Sequence, residues 1–390
     1  MMNVLLLVLG AVLAAVQAVL VPGPIGPMKV AMRVHQLTDR SRWDPYAPAN
    51  GRQRRRLLVS IFFPLEPGRA ALEHTELVPY MPPKTAAFYG AVASKESPLH
   101  SDFFSSFSIE YSKLPGSDDK ECGARPKYPV VLFSPGLGAP RAVYAAGARD
   151  LASLGYVVIT IDHPHDASIV EFPDGTAIMG ANITTIPQIE QALKVRAADV
   201  SFVIDQLHAP VALQKLTAGF PGQLDTSKIA MYGHSLGGAT AAAAILKDKR
   251  ILGGMNWDGF IFGNFSNAVL ERSFALVGTP GTSAEKDSNW GQFYKVVKGS
   301  KIEVAINDTE HLSFMDVPLL VTTAELSPSD RAKLDPVIGK INGRLVHRIF
   351  VGTVSAFLDL VFGGKADKLR NLANDFEKVS IWRSNLGKSA

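Results

Sequence analysis

Residues 228–247, "KIAMYGHSLGGATAAAAILK", carry the strongest indication of the fold. A short apolar run leads into Gly-His-Ser-Leu-Gly, and an alanine-rich run that favours a helix follows directly. In the order strand, turn and helix, a serine between two glycines is typical of a nucleophile on a strained turn; elsewhere the same pattern is an ordinary glycine-rich turn. The helix would also direct backbone N–H groups toward a developing oxyanion. The stretch therefore predicts an α/β fold with Ser235 as a nucleophile.

Strand-like and helix-like segments alternate along the rest of the chain. Short apolar runs bounded by turn residues predict strands at 57–64, 128–136, 156–164, 227–233, 252–259, 272–280 and 301–308. Helical spacing of apolar residues predicts helices at 141–155, 186–207, 237–248 and 341–364. This alternation predicts one domain with a mostly parallel central sheet and helices on both of its faces.

The composition argues against several classes of protein. Of the 390 residues, 47% are apolar and 19% are charged, which is typical of a globular protein. The formal charge of +4 is small, and we interpret the densest basic cluster, residues 51–56, as a solvated face beside a strand rather than a nucleic-acid site. The sequence has no phosphate-binding loop and no dinucleotide fingerprint, so we predict no cofactor.

The first residues predict export from the cell. An apolar run from Val4 to Ala15 precedes small residues that a signal peptidase accepts, so residues 1–18 are predicted to be a signal peptide cleaved after Ala18. An uncleaved membrane anchor is the alternative, because apolar length alone does not determine cleavage. We divide the remaining chain into three parts. Residues 19–54 are an N-terminal extension, and residues 363–390 are a C-terminal tail. Residues 55–362 are the catalytic domain, which contains a long pocket-forming excursion at 65–127.

Three glycosylation sequons agree with export. We predict modification at Asn182 and Asn264, but none at Asn307, where a glycan would crowd a nearby candidate catalytic histidine. The single cysteine, Cys122, excludes an intramolecular disulfide and lies in a polar stretch. We interpret it as an incidental free thiol.

The acid that would support Ser235 is predicted from its place in the chain. A serine nucleophile needs a base oriented by an acid, and in this architecture the acid follows the serine and the histidine comes last. Asp258 directly follows the next apolar run, which makes it the candidate acid; its other interpretation is a turn aspartate before glycine. The competing carboxylates are Asp287, in a polar excursion, and Asp308 and Asp316, which flank a histidine.

Only two histidines lie beyond Asp258 in the sequence. His311 follows a predicted strand and precedes a predicted helix, where the general base of such a site belongs. His347 falls within an amphipathic helix and is expected to pack there. His234, next to the serine, is interpreted as a structural residue.

The oxyanion hole needs two backbone N–H donors. Leu236, directly after the nucleophile, should supply one of them. The other should come from the loop after an earlier strand, FSPGLGAPR at 133–141. Pro135 has no N–H, so either Gly136 or Leu137 is the second donor.

A cluster at residues 162–168, DHPHDAS, contains His163, His165 and Asp166. Zinc would need further ligands at suitable spacing, and the sequence offers none that is convincing, so we predict no metal site. We interpret the three side chains as loop residues at a strand end that line the cleft.

Four motifs together resemble the platelet-activating factor acetylhydrolase family, of the plasma and intracellular type II kind. The motifs are FSPGLGAPR at 133–141, GHSLGG at 233–238, NWDG at 256–259 and TEHLSF at 309–314, within a resemblance that extends over residues 55–362. It implies a calcium-independent α/β-hydrolase that removes short or oxidised acyl groups from the sn-2 position of phospholipids. The residues that match the family's functional positions are nucleophile Ser235, acid Asp258, base His311, and oxyanion donors Leu137 and Leu236.

The sequence departs from the family's pattern at two positions, and other functions could use the same residues or the same fold. The animal enzymes have a histidine where this chain has Pro135 and a phenylalanine where it has Leu236, which changes the shape of the acyl pocket. The expected partner is a lipid ester or a small-molecule ester substrate. Peripheral contact with a lipid surface is possible, and no nucleic-acid partner is expected. A general carboxylesterase, lipase or polyester hydrolase could use the same three residues, and a non-catalytic binding module could use the same fold.

Overall fold

The computed structural model describes residues 18–48, 50–67, 74–114, 125–263, 265, 267–281 and 288–387. Residues 1–17 of the predicted signal peptide lie outside the described residues, as do Cys122, Asn264 and Asp287.

The secondary structure follows the predicted alternation. The strands are β1 (Val19–Leu20), β2 (Lys29–Trp43), β3 (Arg54–Leu65), β4 (Thr75–Pro79), β5 (Phe107–Ser112), β6 (Lys127–Ser134), β7 (Val157–Asp162), β8 (Ile169–Glu171), β9 (Ala177–Met179), β10 (Gln223–His234), β11 (Ile251–Trp257), β12 (Ser273–Gly278), β13 (Lys301–Ile306) and β14 (Val379–Asn385). The helices are α1 (Pro83–Glu96), α2 (Ala145–Ser153), α3 (Ile186–His208), α4 (Pro210–Leu216), α5 (Leu236–Lys247), α6 (Asn289–Val296), α7 (Val317–Thr323), α8 (Pro328–Ile338), α9 (Gly343–Gly363) and α10 (Asp367–Asp375).

One large sheet forms the centre of the described chain. Its strand order is β14-β13-β12-β11-β10-β6-β7-β3-β2. The strands from β13 to β7 are all parallel to their neighbours, whereas β14, β3 and β2 pair antiparallel at the edges. The prediction of a mostly parallel sheet is therefore confirmed.

The central strands are buried on both faces, because successive side chains of a strand point to opposite sides of the sheet. In β6, Val131 and Phe133 pack into a core shared with α2 and α9, whereas Val130 and Leu132 pack into a second core shared with α3 and α5. Parallel strands end at the same edge of the sheet. The loops after β6, β7, β10, β11 and β13 therefore gather at that edge, where a site can form.

The sheet extends beyond the sequence limits of 55 and 362. Strand β2, predicted as part of an N-terminal extension, pairs with β3 over most of its length. Strand β14, predicted as part of a C-terminal tail, pairs with β13. Both are edge strands with one partner, and much of each is polar and partly exposed, so they lack the continuous apolar runs that reveal a central strand.

The excursion predicted at 65–127 is a packed structure over its described residues. Strands β1, β5 and β4 form a small second sheet, and Phe103, Phe104 and Phe107 are buried. The hydroxyl of Tyr89, in α1, donates a hydrogen bond to the carbonyl of Gly138. The excursion therefore reaches the loop after β6.

The interpretation of residues 51–56 as a solvated face is wrong for Arg55. This side chain is fully buried, and its guanidinium pairs with Asp199 of α3, Nη2 to Oδ2, at 2.7 Å. Its neighbour Arg54 points to the other side and stacks on Trp43, 3.8 Å from the ring centroid. The alternation of β3 sends the middle arginine inward, where only a buried carboxylate makes its charge tolerable.

Candidate active site

Ser235 lies on a sharp turn between β10 and α5. Its backbone has φ 55° and ψ −123°, a region that L-amino acids rarely adopt, and its N–H donates to the carbonyl of Trp257 at 2.8 Å. The turn projects the serine from the carboxyl end of the strand, as the motif predicts. Its Oγ makes no hydrogen bond within the part of the chain that the structure describes.

The glycines around Ser235 are required by close backbone approach. A Cβ on Gly233 would overlap the carbonyl of Gly237, and a Cβ on Gly237 would overlap the carbonyl of Ser134. Helix α5 can therefore start directly behind β10 only because these positions carry no side chain.

Asp258 follows β11 and adopts φ 51° on a turn held by its neighbours. The side chain of Asn256 both accepts from the N–H of Gly259 at 3.0 Å and donates to its carbonyl at 2.7 Å. The carboxylate of Asp258 accepts the N–H of Thr279 through Oδ1 at 3.0 Å. Its Oδ2 accepts from Nδ1 of His311 at 2.7 Å. A carboxylate accepts and does not donate, so Nδ1 of His311 carries the proton and Nε2 is the free basic nitrogen of the neutral ring.

His311 begins a short 3₁₀ turn after β13, at the same edge of the sheet. Its side chain is 48% exposed, while that of Asp258 is 7% exposed, so the imidazole faces the cleft and its acid is shielded. The turn is fastened by Ser313, whose hydroxyl donates to the carbonyl of Ile338 at 2.8 Å. The imidazole of His311 is thus accessible to solvent on a fixed support.

The two described competitors of Asp258 are engaged elsewhere. Asp308 pairs with Lys378 at 2.8 Å. Asp316 is buried at the start of α2, where it accepts from the N–H of Ala146 at 2.8 Å and from the hydroxyl of Tyr80 at 2.7 Å. Burial raises the pKa of Asp316 to about 6. This residue fastens the histidine loop to α2 and does not contact the imidazole.

His234 joins the nucleophile turn to the histidine loop, a role that the sequence did not reveal. Its ring is buried, lies 4.6 Å from that of His311 between centroids, and contacts the carbonyl of His311 through Nε2 at 2.9 Å. A carbonyl only accepts, so Nε2 carries the proton and Nδ1 accepts from the hydroxyl of Tyr144 at 2.8 Å. Burial, and secondly the nearby His311, lowers the pKa of His234 to about 3, so the ring is neutral.

The loop after β6 contains the backbone N–H groups that were predicted as oxyanion donors. The N–H of Gly136 donates to the hydroxyl of Tyr144 at 3.3 Å and is therefore already used. The amides of Leu137 and Leu236 make no hydrogen bond to the described residues. A Cβ on Gly136 would lie 3.3 Å from Cβ of Ser235, so the loop lies against the nucleophile. Of the two alternatives for the second donor, the geometry favours Leu137.

His163 and Asp166 form a support behind this loop. His163 is buried between Ser134, 3.0 Å from Oγ to Nε2, and Asp199, 2.9 Å from Oδ2 to Nδ1. Asp166 is buried against Arg196 of α3. Both side chains are buried, so the predicted lining role is wrong for them. His165 is partly exposed and lies beside Asp44, 3.9 Å from Nε2 to Oδ2. Over the described ranges, no three His, Cys, Asp or Glu side chains are grouped as metal ligands would be.

Sequence reasoning missed Arg196, although the helix carries a signal for it. In α3, Leu193, Ala197 and Val200 lie on the buried stripe, and Arg196 falls on the same stripe. A charged residue among apolar positions at helical spacing is rare unless it is paired in the interior.

These elements define an α/β-hydrolase. A ferulic acid esterase from Streptomyces cinnamoneus has the same fold, with a TM-score of 0.73 at 24% identity over 93% of this chain and 99% of that structure. The family model for platelet-activating factor acetylhydrolase, isoform II, matches residues 47–177 and 212–359.

Two relatives agree with that match. A probable 1-alkyl-2-acetylglycerophosphocholine esterase from Arthroderma benhamiae is 30% identical over 381 residues, covering 92% of this chain and 93% of the relative. The platelet-activating factor acetylhydrolase of Cavia porcellus is 27% identical over 231 residues, 52% of each chain. The chain therefore belongs to the platelet-activating factor acetylhydrolase, isoform II, family, and it is a carboxylic ester hydrolase. The predicted family, fold and enzyme class are confirmed.

Proposed function

We propose that this esterase hydrolyses the sn-2 acetyl or other short acyl ester of platelet-activating-factor-like phospholipids through Ser235, His311 and Asp258. The observation that carries the proposal is the 2.7 Å hydrogen bond from His311 to Asp258, made at the strand ends beside the strained turn of Ser235. The names of the fungal and animal relatives support the substrate class.

The proposed mechanism has two half-reactions. Nε2 of His311 takes the proton of Ser235 as Oγ attacks the ester carbonyl, and Asp258 stabilises the imidazolium that forms. The amides of Leu137 and Leu236 hold the tetrahedral oxyanion. His311 then gives the proton to the departing glycerol oxygen, which releases the lysophospholipid and leaves an acyl-serine. Water, deprotonated by the same histidine, hydrolyses that ester and frees the carboxylic acid.

The apolar wall beside the nucleophile supports a short acyl group. Leu236 belongs to a buried apolar cluster, and Leu137, Ile183 and Phe262 are partly buried and pack against it. Next to this wall, Phe260 is 58% exposed only two residues beyond Asp258. An exposed aromatic ring at the rim of an ester site supports peripheral contact with a lipid surface.

A substrate panel on the purified protein tests the proposal. We expect kcat/KM for an sn-2 acetyl phosphatidylcholine to exceed that for the sn-2 palmitoyl analogue by a factor of about 100 or more, since extra methylenes would have to displace the apolar wall. Addition of EDTA should leave both rates unchanged. Turnover of p-nitrophenyl acetate and butyrate without turnover of either phospholipid would instead identify a general carboxylesterase.

We also propose that the enzyme is a secreted glycoprotein. In support, β1 begins at Val19, directly after the predicted cleavage point at Ala18, and Asn182 is exposed. Protein collected from the medium of a eukaryotic host should have Val19 as its first residue, and Asn182→Gln should lower its mass by one glycan. Recovery only from membranes, with the N-terminal segment retained, would support the anchored alternative.

A further inference from the structure

We propose that the buried guanidinium of Arg196, anchored by Asp166, is the positioning group that aims the Leu137 amide of the oxyanion hole at the reacting carbonyl. The inference rests on the proposed function, because it assigns a task within the same ester-hydrolysing site. It concerns a residue that does not touch the substrate, so its effect would act through the loop after β6.

Arg196 is fully buried, and each of its N–H groups has an acceptor. Nε donates to Asp166 Oδ2 at 2.7 Å, and Nη2 donates to the other oxygen of the same carboxylate. Nη1 donates to the carbonyl of Pro135 at 2.5 Å and to the hydroxyl of Ser134 at 3.2 Å, and Nη2 donates to the carbonyl of Gly136 at 3.2 Å. The planar guanidinium therefore binds a carboxylate on one side, and on the other side it binds the last residue of β6 and the first two residues of the following loop.

These carbonyl contacts determine where the loop's N–H groups point. In a planar trans peptide the C=O and the N–H of the same unit point in opposite directions. Since the carbonyls of Pro135 and Gly136 both point to Arg196, the N–H groups of Gly136 and Leu137 both point away from it. Successive N–H groups on one side of a loop form a concave site for an anion.

Gly136 itself lies against the turn of Ser235, which places the start of this loop beside the proposed nucleophile. A Cβ on Gly136 would lie 3.3 Å from Cβ of Ser235 and 3.4 Å from Nδ1 of His234. The hydroxyl of Tyr144 takes the Gly136 N–H at 3.3 Å. The Leu137 N–H is left for the oxyanion. A positive charge at the carbonyl end of the Gly136–Leu137 peptide also polarises that unit, which makes its N–H a stronger donor.

Asp166 makes this arrangement stable in the interior. A buried arginine without a partner would be strongly destabilising, and a bidentate carboxylate both balances its charge and fixes the plane of the guanidinium. Asp166 is itself held by the turn after β7, where its N–H donates to the carbonyl of His163 at 3.0 Å. The loop, the turn after β7 and α3 are thereby locked into one unit.

The test variant is Arg196→Lys, which keeps the charge beside Asp166 but cannot span the carboxylate and both carbonyls. With p-nitrophenyl acetate we expect kcat to fall by a factor of about 100, the effect of losing one oxyanion-hole donor, with KM changed less than about threefold. The inhibition constant of a trifluoromethyl ketone, which forms an oxyanion on the serine, should rise by a similar factor. The matched control is Arg55→Lys, a buried arginine that pairs with Asp199 and a carbonyl but does not touch this loop.

The outcomes separate this inference from the proposed function. A folded Arg196→Lys variant with wild-type kcat and a wild-type inhibition constant would overturn the positioning role. An equal fall in the kcat of Arg55→Lys would also overturn it. So would a fall in the kcat of Arg196→Lys with no change in its inhibition constant. If Arg196→Lys does not fold, Asp166→Asn is measured in the same way, with a smaller fall in kcat expected and the same overturning results. Failure of the wild-type protein to react with a fluorophosphonate would instead overturn the proposed function itself.

Discussion

Ser235→Ala is expected to lower kcat for p-nitrophenyl acetate by a factor of about 10⁵ or more, to a residual rate that the oxyanion donors alone can support. The variant removes only Oγ, which makes no hydrogen bond to the described residues, and it leaves the strained turn in place. Thermal stability should therefore stay the same or rise slightly, because alanine keeps the packing and no partner is left unpaired. The measurement is single-turnover kinetics together with a thermal melt of both proteins.

Ser227→Ala is the matched control for this variant. Ser227 lies on the same strand, β10, but it is exposed, and its hydroxyl donates a hydrogen bond to Asp225. It should retain full activity and full labelling by a fluorophosphonate, whereas Ser235→Ala should not label. Labelling of Ser235→Ala, or retention of most of its activity, would show that another residue is the nucleophile.

Asp258→Asn should lower kcat by a factor of about 10⁴ with little change in KM. The carboxylate now accepts from Nδ1 of His311 at 2.7 Å, which keeps Nε2 available as the base. An asparagine that turns its NH₂ toward Nδ1 would favour the opposite tautomer and would also lose the charge that stabilises the imidazolium. The Thr279 N–H that Oδ1 now accepts limits the freedom of the asparagine to turn its oxygen instead.

Asp308→Asn distinguishes this effect from a general loss of negative charge near the histidine. Asp308 lies three residues before His311 with φ 61°, a conformation that asparagine tolerates well, and it pairs with Lys378 at the surface. We expect its kcat to remain within about twofold of wild type, because exposed pairs contribute little. A large loss in Asp308→Asn together with an active Asp258→Asn would reassign the acid.

Local sequence predicted those parts of the site that depend on chain order. A strand, an elbow and a helix are neighbours in sequence, so the pattern around Ser235 predicts its own backbone. The carboxyl ends of parallel strands share one edge, so Asp258 and His311 could be placed near each other without knowing any distance. The sequence also contained the family's motifs in order, which is why family, fold and enzyme class could be predicted.

Other features depend on contacts between distant segments. Whether Gly136 or Leu137 faces the oxyanion depends on the hydroxyl of Tyr144 and on Arg196, which a pattern within the loop cannot contain. The edge strands β2 and β14 gain their conformation from one neighbour each, and their own sequences are too polar to reveal it.

The turn of Ser235, the chain order of Asp258 and His311 after it, and the parallel core could be predicted from the residues alone, because these features follow from local conformation and from the rule that parallel strands end together. Which charges enter the interior depends on the folded chain. Arg55 was predicted to lie on a solvated face and Arg196 was not singled out in the sequence, yet both are buried on carboxylates from other elements. A buried charge is tolerable only beside its counter-charge. Arg55 also pairs with Asp44 nearby in the chain, but the carboxylates of Asp199 and Asp166, which hold Arg55 and Arg196 most closely, lie 144 and 30 residues away and become neighbours only when the chain folds.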